Sequence, residues 1–403
     1  MTARRAAPRR AGPSFEEIRD LEDRFQVPTY AHLPLAVVRG EGCRVFDSEG
    51  NAWLDFYGGH AVALTGHGHP AVVEAVREQA GRLLFYSNAV YSDVRARAVE
   101  ALVGAAPAGV SKVFLCNSGA EANEAALKAA RIATGRADVV AMADGFHGRT
   151  LGALSATGLG PYRAYGGPLV PGTTFVPFGD ADALGRAVTS ETAAVILEPI
   201  PSMGGVRVAP PEYYHAAREA CDARGALLVF DEVQTGLGRT GRMWAGEHFG
   251  VAPDMHTLAK GIASGVPCGA VLFQDRVART VKPGDHGSTF GGGPLACAAL
   301  EATLRVLRDE ALVARAETSG LALREGALSI RGVREVRGLG LLLAVACEAP
   351  AKAVLARLRE RHVLASSVSS DPNAVRLLPP LVAGPAEVDE FLRALRDARP
   401  DAP

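Results

Sequence analysis

Residues 112–142 read KVFLC-NSGAEANEAALKAARIATGRA-DVVAM, and this stretch carries the pattern that decides the fold. It joins two short apolar runs, Lys112–Cys116 and Asp138–Met142, by a helical stretch over 119–134. Three more apolar runs follow along the chain: Ala193–Leu197, Ala226–Phe230 and Cys268–Leu272. Short strands that alternate with helices predict an α/β fold, with a mostly parallel central sheet and helices on both of its faces.

The chain outside this region predicts a second, smaller α+β domain. Ser14 and Glu17 have the spacing of a capping box, which predicts a helix at the N-terminus, and a strand hairpin follows it. After a long helix that starts at Leu295, three strand-like runs alternate with helices. We therefore expect four parts: a disordered tail over 1–13, an N-terminal segment of the small domain over 14–65, the large cofactor-binding domain over 66–294, and the linking helix with the C-terminal small domain over 295–403.

Charge and composition exclude several classes of protein. The 403 residues carry 43 Lys and Arg against 44 Asp and Glu, whereas a nucleic-acid-binding protein needs a basic surface. No apolar stretch reaches the roughly 20 residues that cross a bilayer, so we expect no membrane partner. Six scattered cysteines without a CxxC pair predict a cytoplasmic protein without disulfides or a zinc site. The arginine-rich tail resembles a weak organellar transit sequence, although a disordered bacterial extension is the favoured interpretation.

The segments that follow the apolar runs are candidates for a binding site, because ligands of open α/β sheets bind at the carboxyl ends of the strands. The first such segment is Asn117-Ser118-Gly119-Ala120, which follows a strand and opens a helix. A helix N-terminus offers free backbone N–H groups to a phosphate. Serine is also common there as a simple helix cap, so this segment alone leaves both interpretations open.

Two single residues add to this signal. Asp231 ends a buried run, where an acid either holds a proton on a ring nitrogen or caps the next helix. Lys260 is the only one of five lysines that lies in an apolar run followed by glycine. A lysine in an apolar pocket loses its proton readily and can act as a nucleophile, but it could also extend its ammonium group into water. Taken alone, each residue leaves its two interpretations open.

Two further motifs are better explained as structural elements than as binding sites. The segment Gly236-Leu-Gly238-Arg-Thr-Gly241 matches GxGxxG, but in dinucleotide-binding folds the first glycine directly follows the strand and a helix comes next. Here five residues intervene and a poor helix start follows, so a nicotinamide cofactor is disfavoured. The pair His67-Gly-His69 has no third ligand at a useful spacing, and we expect no metal.

The remaining features combine into the needs of one cofactor. A phosphate-binding helix start, the strand-end Asp231, the aromatic Phe146 beside a glycine, and Lys260 match a pyridoxal phosphate site, which uses a lysine Schiff base and an acidic partner for the ring nitrogen. The chain resembles the class III, fold-type-I pyridoxal-phosphate aminotransferases, in particular the acetylornithine/ornithine subgroup. The motifs that carry the resemblance run in order along the chain: Pro34–Gly42, Gly66–Pro70, Asn117–Ala125, Phe146–Gly152, Phe230–Gly236, Leu258–Gly261, His286–Gly292 and Arg376–Pro380.

The resemblance implies a role for each residue around the cofactor. Lys260 would carry the cofactor and move the proton during the reaction, and Asp231 would keep the pyridine nitrogen protonated. Phe146 and Val233 would pack on the two faces of the ring, and Gln234 would reach its phenolic oxygen. The phosphate would be held by Ser118, Gly119, Ala120 and, from the second subunit of a homodimer with a shared active site, Thr289.

The resemblance also implies a reaction. The enzyme would move the terminal amino group of N2-acetylornithine, or of a similar N-acylated diamino acid, to 2-oxoglutarate, giving a semialdehyde and glutamate in arginine biosynthesis. Arg149 and Arg376 would bind substrate carboxylates, because a guanidinium pairs with a carboxylate through two hydrogen bonds. Ser288 would join Arg149 in contacting the acylated amino acid.

Other substrates and functions stay open at this point. Within the class, the alternatives are a lysine precursor linked to an acidic carrier protein, which a basic rim around the pocket would favour, ornithine, 4-aminobutyrate, or a specialised metabolite. Outside the class, they are a nicotinamide-dependent oxidoreductase and a catalytically silent, partner-binding relative. The intact Lys260, Asp231 and Gln234 argue against the silent relative.

The sequence departs from the pattern of the relatives at two places. Relatives usually read Glu-Pro-Ile/Val-Gln-Gly-Glu-Gly-Gly where this chain has Glu198-Pro-Ile-Pro-Ser-Met-Gly-Gly205. Met203 thus replaces a glutamate that pairs, in relatives, with the arginine matching Arg376. We therefore hypothesise that no carboxylate gates Arg376 from this position, so that the site favours a carboxylate near the reacting amine, or that another group replaces the gate. His60 stands where relatives have an apolar residue or a tyrosine near the substrate entrance. We expect this substitution to have no effect on function.

Overall fold

The computed structural model describes residues 12–164 and 166–398. Most of the predicted tail over 1–13 lies outside the described residues. In chain order the strands are β1 (Val37–Glu41), β2 (Arg44–Asp47), β3 (Ala52–Asp55), β4 (Val110–Cys116), β5 (Asp138–Met142), β6 (Thr173–Val176), β7 (Thr192–Leu197), β8 (Leu227–Asp231), β9 (Met255–Leu258), β10 (Gly269–Gln274), β11 (Val333–Leu339), β12 (Leu342–Cys347), β13 (Val363–Leu364), β14 (Ser366–Ser367) and β15 (Ala374–Leu377).

The helices surround these strands, and several begin with a cap or a proline that the sequence makes visible. They are α1 (Phe15–Phe25), α2 (Gly58–Ala61), α3 (Pro70–Arg82), α4 (Asp93–Gly104), α5 (Gly119–Thr134), α6 (Leu151–Ala156), α7 (Gly160–Arg163), α8 (Ala181–Ala187), α9 (Pro211–Arg224), α10 (Asp275–Ala278), α11 (Pro294–Asp309), α12 (Leu312–Leu328), α13 (Ala351–Glu360) and α14 (Pro385–Asp397). Two 3-10 helices add Ala245–His248 and Lys260–Ala263.

The central sheet has seven strands in the order β4-β10-β9-β8-β7-β5-β6. Neighbours from β9 to β6 pair in parallel, whereas β10 runs antiparallel to both β4 and β9. The predicted α/β fold with a mostly parallel sheet is therefore confirmed. The apolar runs do not predict β6 and β9, because threonines and a histidine interrupt these two short strands.

Side chains alternate between the two faces of this sheet, as the period of two in a strand requires. In β5, Val139 and Ala141 pack in the cluster that holds the alanines of α5, whereas Val140 and Met142 pack with Tyr213 of α9 on the other face. A strand that is covered on both faces has no polar side. This double burial is why the strands read as continuous apolar runs in the sequence.

Two four-stranded sheets flank the central one, with the orders β1-β2-β3-β13 and β11-β12-β15-β14. Val363 and Leu364 of β13 pair in parallel with Leu54 and Asp55 of β3, so a C-terminal strand completes an N-terminal sheet. All seven strands of the central sheet fall between residues 110 and 274. The domain bounds given above, at residues 65/66 and 294/295, stay a prediction.

Three local features correspond to the expectations above: the capping box, the cysteines and the character of the helices. The capping box at α1 is formed, because Ser14 N–H donates to Glu17 Oε2 at 2.9 Å and Glu17 N–H donates to Ser14 Oγ at 3.3 Å. All six cysteines are buried and have free thiols. Within residues 12–164 and 166–398, no helix is both long and apolar enough to cross a membrane.

Candidate active site

A cavity of about 460 Å³ opens where the parallel strands end, the position at which sheets of this kind bind ligands. It gathers segments that are far apart in the chain. Nine of the predicted site residues line it: Ser118, Gly119, Ala120, Phe146, Arg149, Asp231, Val233, Gln234 and Lys260. Three predicted site residues, Ser288, Thr289 and Arg376, are not part of this lining.

One end of the cavity is formed by the start of α5. Ser118 caps the helix, since its Oγ accepts a hydrogen bond from Glu121 N–H at 3.2 Å. A Cβ on Gly119 would lie 2.9 Å from Cγ1 of Val233, so glycine allows the helix start to pack against the cavity wall. The first N–H groups of a helix lack partners within the helix and carry partial positive charge. This end of the cavity therefore suits a phosphate, and Ser118 is a cap as well as a lining residue.

Asp231 is held as an acceptor by three donors. Its Oδ2 accepts hydrogen bonds from Asn123 Nδ2 at 2.8 Å and from His147 Nδ1 at 2.7 Å, and its Oδ1 accepts one from Val233 N–H at 3.1 Å. Thr257 Oγ1 donates to Asn123 Oδ1 at 2.7 Å, which fixes the orientation of that amide. These donors fix the position of the carboxylate. A buried acid that is oriented in this way can accept a hydrogen bond from a protonated ring nitrogen.

Lys260 opens a 3-10 helix, and its backbone has a φ of 49° in the left-handed region. Such a conformation is costly for a residue with a side chain and is found mainly where function requires it. Burial lowers the pKa of Lys260 to about 8, although the charges of Asp231 and Glu198 act in the opposite direction. With this pKa, roughly a tenth of the amine is neutral at pH 7, far more than for an ordinary lysine, which makes Lys260 a more effective nucleophile.

Between the start of α5 and Lys260, the walls of the cavity are apolar and aromatic. Phe146 packs edge-on against Tyr162, with ring centroids 5.3 Å apart, and Val233 contacts the start of α5. Gln234 adds a polar group, and its Oε1 accepts a hydrogen bond from Ser202 Oγ at 3.0 Å. The predicted ring-packing residues and the predicted partner of the phenolic oxygen thus share one cavity.

Glu198 is a buried acid of this cavity for which the sequence predicts no role. Its Oε1 accepts a hydrogen bond from Phe146 N–H at 2.9 Å, and its Oε2 accepts one from Ser202 N–H at 3.2 Å. Burial and the neighbouring charge of Asp231 raise the pKa of Glu198 to about 7. One carboxyl group therefore joins the loop that carries Phe146 to the loop that follows β7.

Arg376 lies on β15 and is 2% exposed. Its Nη1 donates to Ser202 Oγ at 3.1 Å and its Nε donates to Ser366 Oγ at 3.2 Å. Within the described part of the chain, no carboxylate comes within ion-pair distance of this guanidinium. Burial lowers the pKa of Arg376. The predicted lack of a carboxylate gate thus agrees with the contacts of Arg376, and two serine hydroxyls occupy the place of a charged partner.

The remaining predicted substrate residues lie nearer the surface. Arg149 is exposed at the cavity, and its guanidinium carbon is 4.4 Å from the ring centroid of Tyr162. Ser288 Oγ accepts a hydrogen bond from Asn117 Nδ2 at 3.2 Å, which connects it to the cavity lining. Thr289 lies next to it and is exposed. Thr289 therefore lies outside the cavity of its own subunit.

His60 belongs to a short left-handed turn. Gly58, Gly59, His60 and Ala61 all have positive φ angles between 55° and 65°. This conformation suits glycine but costs free energy in residues with a side chain. Partial burial and the charges of Arg376 and Lys260 lower the pKa of His60 to about 4. His60 is therefore neutral at pH 7 and adds no third cation beside these two residues.

The alternative motifs have structural partners. The loop Gly236–Gly241 packs against α12, where a Cβ on Gly241 would lie 3.0 Å from Cβ of Glu317, and no helix follows it directly. His67 Nε2 lies 2.7 Å from Asp55 Oδ2, and His69 caps α3. No group of three or more metal-ligating side chains comes together in the described ranges. A nicotinamide site would need a strand directly before Gly236 and a helix directly after Gly241, whereas β8 already ends at Asp231 and no helix begins before Ala245. The structure therefore disfavours the nicotinamide interpretation, as the sequence does.

Four residues of the site are not assigned from sequence: Asn123, His147, Glu198 and Ser202. Each lies in a segment that directly follows an apolar run or in the departing motif, which is the only local signal they give. Their hydrogen bonds connect positions far apart in the chain, for example Asn123 with Asp231 and Ser202 with Arg376. Sequence patterns report neighbours along the chain, so these pairings could not be predicted.

The comparison with known protein families decides the identity of the fold and site. Residues 25–398 match the family described as aminotransferase class-III. The chain belongs to the class-III aminotransferases. The predicted family and the predicted enzyme class, a pyridoxal-phosphate-dependent transaminase, are therefore confirmed. Membership of this family also excludes the alternative of a nicotinamide-dependent oxidoreductase.

This chain is similar to individual class-III aminotransferases over nearly their full length. The acetylornithine aminotransferase of Methanopyrus kandleri is 46% identical over 383 residues, which cover 95% of this chain and 98% of the relative. That of Mycobacterium tuberculosis is 47% identical, covering 91% and 92%. The crystal structure of ornithine aminotransferase from Toxoplasma gondii superposes with a TM-score of 0.91 at 35% identity, covering 96% and 95%.

The cavity of this chain fits the cofactor of the family. A second structure of the Toxoplasma gondii enzyme has pyridoxal phosphate at partial occupancy in its active site. In this chain, a partly buried amine, a buried acid with three donors and the start of a helix surround one cavity. These are the groups that bind the aldehyde, the ring nitrogen and the phosphate of that cofactor.

Proposed function

We propose that this class-III aminotransferase moves the terminal amino group of N2-acetylornithine, or of a similar N-acylated diamino acid, to 2-oxoglutarate, giving the semialdehyde and glutamate. The observation that carries the proposal is the convergence of Lys260, Asp231 and the start of α5 on one cavity, with Arg149 at its exposed side. The relatives named acetylornithine aminotransferase, at 46% and 47% identity, support this choice of substrate.

We assign the cofactor contacts to the residues that line the cavity. Backbone N–H groups of Gly119 and Ala120, with Ser118, would hold the phosphate at the start of α5. Phe146 and Val233 would pack on the ring, and Gln234 would donate to the phenolic oxygen. When bound there, pyridoxal phosphate supplies an electron-withdrawing ring that stabilises negative charge on the amine-bearing carbon of the substrate.

Two residues would perform the proton chemistry. Lys260 would hold the cofactor through its Nζ and would afterwards accept and return the proton of the substrate carbon, for which an amine with a pKa of about 8 is well matched. Asp231 would keep the ring nitrogen protonated, because Asn123 and His147 hold its carboxylate in place. Charge that develops in the ring is thereby stabilised without reorganisation of the protein.

Two arginines would recognise carboxylates at different depths. Arg149 is exposed and would bind the distant carboxylate of an acylated diamino acid, together with Ser288. Arg376 is buried, and its charge contributes to lowering the pKa of Lys260. It would bind the carboxylate next to the reacting carbon of glutamate or 2-oxoglutarate. One site could then accept both substrates of the reaction.

We further propose a homodimer in which the partner subunit contributes Thr289 to the phosphate. An exposed apolar surface supports this proposal: Leu84, Tyr86, Tyr91 and Phe290 all expose more than half of their side chains. Monomeric proteins rarely expose a contiguous patch of this kind. A reducing cytoplasm and a step of arginine biosynthesis are the expected setting, in line with six buried free thiols.

The test is a panel of amino donors applied to the purified holoenzyme. N2-acetylornithine, glutamate, ornithine and 4-aminobutyrate are each mixed with the enzyme, and the absorbance of the bound cofactor is followed until it reaches the pyridoxamine form. We expect N2-acetylornithine and glutamate to react, with kcat/KM at least about tenfold above that of the other two. Lys260→Ala serves as the unreactive control. Failure of both favoured donors would sink the proposal.

Ornithine is the second candidate, and one observation favours it: the backbone superposes on an ornithine aminotransferase with a TM-score of 0.91. Free ornithine has a charged α-amine where the acylated substrate has a neutral amide. Both substrates carry the carboxylate that Arg149 would bind, so Arg149→Ala should weaken both. The donor panel itself distinguishes them, because a kcat/KM for ornithine above that for N2-acetylornithine would select ornithine.

A further inference from the structure

We propose that Ser202 is a positioning residue that holds Arg376 and Gln234 together, so that a neutral hydroxyl keeps the guanidinium ready for a substrate carboxylate and turns the Gln234 amide toward the cofactor ring. This inference rests on the proposed aminotransferase function of the cavity. It concerns a residue that stands where the relatives' motif has glycine, which has no hydroxyl.

The first step of the argument is the state of Arg376. Its guanidinium has five N–H donors, and the described residues accept hydrogen bonds from only two of its nitrogens, Nε and Nη1. It has no carboxylate partner within the described ranges, although it is almost fully buried. A buried cation without an anion has already lost its hydration. A substrate carboxylate that reaches the free Nη2 side therefore gains a strong, charge-assisted partner.

The second step is the proton of Ser202. A serine hydroxyl has one proton and two lone pairs. Arg376 Nη1 donates to Ser202 Oγ at 3.1 Å, so the oxygen acts as an acceptor on that side. The proton is donated to Gln234 Oε1 at 3.0 Å. With its oxygen bound to Ser202, Gln234 presents its NH2 group as the free end of the amide, and this group can donate to a phenolic oxygen.

The third step is the rigidity of Ser202 itself. Its side chain is completely buried, and its backbone N–H donates to Glu198 Oε2 at 3.2 Å. On either side, Val206 N–H donates to Pro201 O at 2.9 Å and Ser369 N–H donates to Met203 O at 3.2 Å. A hydroxyl on such a fixed backbone can orient its partners at little cost in conformational entropy.

The fourth step is the comparison with a charged partner. A carboxylate beside Arg376 would compete with the carboxylate of the substrate, and it would have to move away before binding. Ser202 and Ser366 orient the guanidinium without neutralising its charge. The arrangement therefore favours substrates with a carboxylate next to the reacting carbon, and it needs no side-chain movement on binding.

The test measures binding separately from turnover. Holoenzyme variants Ser202→Ala, Ser202→Gly and Ser366→Ala are titrated with glutarate, an unreactive dicarboxylate, by isothermal calorimetry. Ser319→Ala is the matched control, since Ser319 is also buried and donates to a backbone carbonyl, Ala383 O, at 2.8 Å, away from the cavity. A pH titration of the visible absorbance of the bound cofactor is recorded for each variant.

We expect Ser202→Ala and Ser202→Gly to weaken glutarate binding about tenfold or more, as loss of a hydrogen bond to a charged group does. Ser366→Ala should weaken it to a similar degree, whereas Ser319→Ala should stay within about twofold, as expected for a site without shared partners. The cofactor titration should shift in the two Ser202 variants only, because Ser366 contacts Arg376 but makes no hydrogen bond to Gln234.

Two results would overturn the proposal. One is a Ser202 variant that binds glutarate as the Ser319 control does, or a wild-type enzyme that binds no glutarate. The other is an equal loss in all four variants, which would indicate general loosening of the fold. Failure of the proposed function looks different: acetylornithine would leave the cofactor unchanged, while the glutarate titrations would still separate the Ser202 variants from the control.

Discussion

At the scale of the residue, the site depends on buried groups whose charges are set by their neighbours. Lys260 is enclosed with Asp231 and Glu198, and the pKa values of Lys260 and Glu198 are moved toward each other, to about 8 and about 7. Such opposed shifts are typical of active sites, where proton transfer requires groups that titrate near the working pH. Both groups act through the same cavity.

The lowered pKa of Lys260 gives a prediction for the protein without cofactor. The neutral amine is the nucleophile, so the rate at which the protein captures pyridoxal phosphate should rise with pH and level off above about pH 8. An ordinary lysine would keep rising to about pH 10.4. Stopped-flow absorbance measures the rate, and Lys260→Ala reports capture by the other lysines. A midpoint above pH 10 would contradict the prediction.

A second prediction concerns His147, which donates to Asp231 at 2.7 Å. His147→Ala should lower kcat about tenfold to a hundredfold, because the carboxylate loses a hydrogen bond that fixes its position. His256→Ala is a matched control, since His256 pairs with the buried Glu232 at 3.2 Å and does not line the cavity. Equal losses of kcat in both variants would indicate a structural effect only.

At the scale of the element, close approach between segments is made by glycines. Gly320 lies in α12, where a Cβ would be 2.1 Å from Gly340 O in the turn between β11 and β12. A backbone oxygen cannot move aside as a side-chain tip can. The helix therefore packs on this turn only without a side chain at position 320.

We predict that Gly320→Ala lowers the free energy of unfolding by about 1–3 kcal/mol, as overpacking of a tight contact does. Gly185→Ala should instead raise it by about 0.4–1 kcal/mol, because Gly185 lies inside α8 with open space around it and alanine restricts the unfolded chain. Urea denaturation of both variants measures the difference. A stabilised Gly320→Ala protein would show that the turn can move.

At the scale of the whole molecule, the sheets bring distant segments to one site. The segments after β4 and β5 bring the helix start and Phe146 to the cavity, and the segment after β9 brings Lys260. The C-terminal strand β15 carries Arg376, which lies outside the lining and is connected to it through Ser202 and Gln234. The exposed aromatic surface around Tyr91 and Phe290 lies outside this cavity. The proposed homodimer would bury this surface.

We predict that Tyr91→Asp raises the dimer dissociation constant at least about a hundredfold, since a charge would be buried at an aromatic contact. Leu321→Asp is the control, because Leu321 is an exposed apolar residue of α12 outside this surface. Sedimentation velocity over a dilution series compares the two. If Tyr91→Asp dimerises like the control, the proposed interface is wrong.

Much of the fold could be predicted, because its strands are buried on both faces and separated by capped helices. The predicted helix over 119–134 coincides with the observed helix α5. The short polar strands β6 and β9 could not be predicted, since pairing with neighbours stabilises them more than their own pattern does.

The sequence by itself determined the alternation of strands and helices, the family, and single residues such as Lys260 and Asp231, because local composition and spacing carry that information. Only the tertiary structure decided the partners of those residues. Ser202 lies 32 positions from Gln234 and 174 positions from Arg376, and yet its hydroxyl contacts both. Hydrogen bonds of this kind depend on how the sheets stack in space, and no local pattern in the chain encodes that distance.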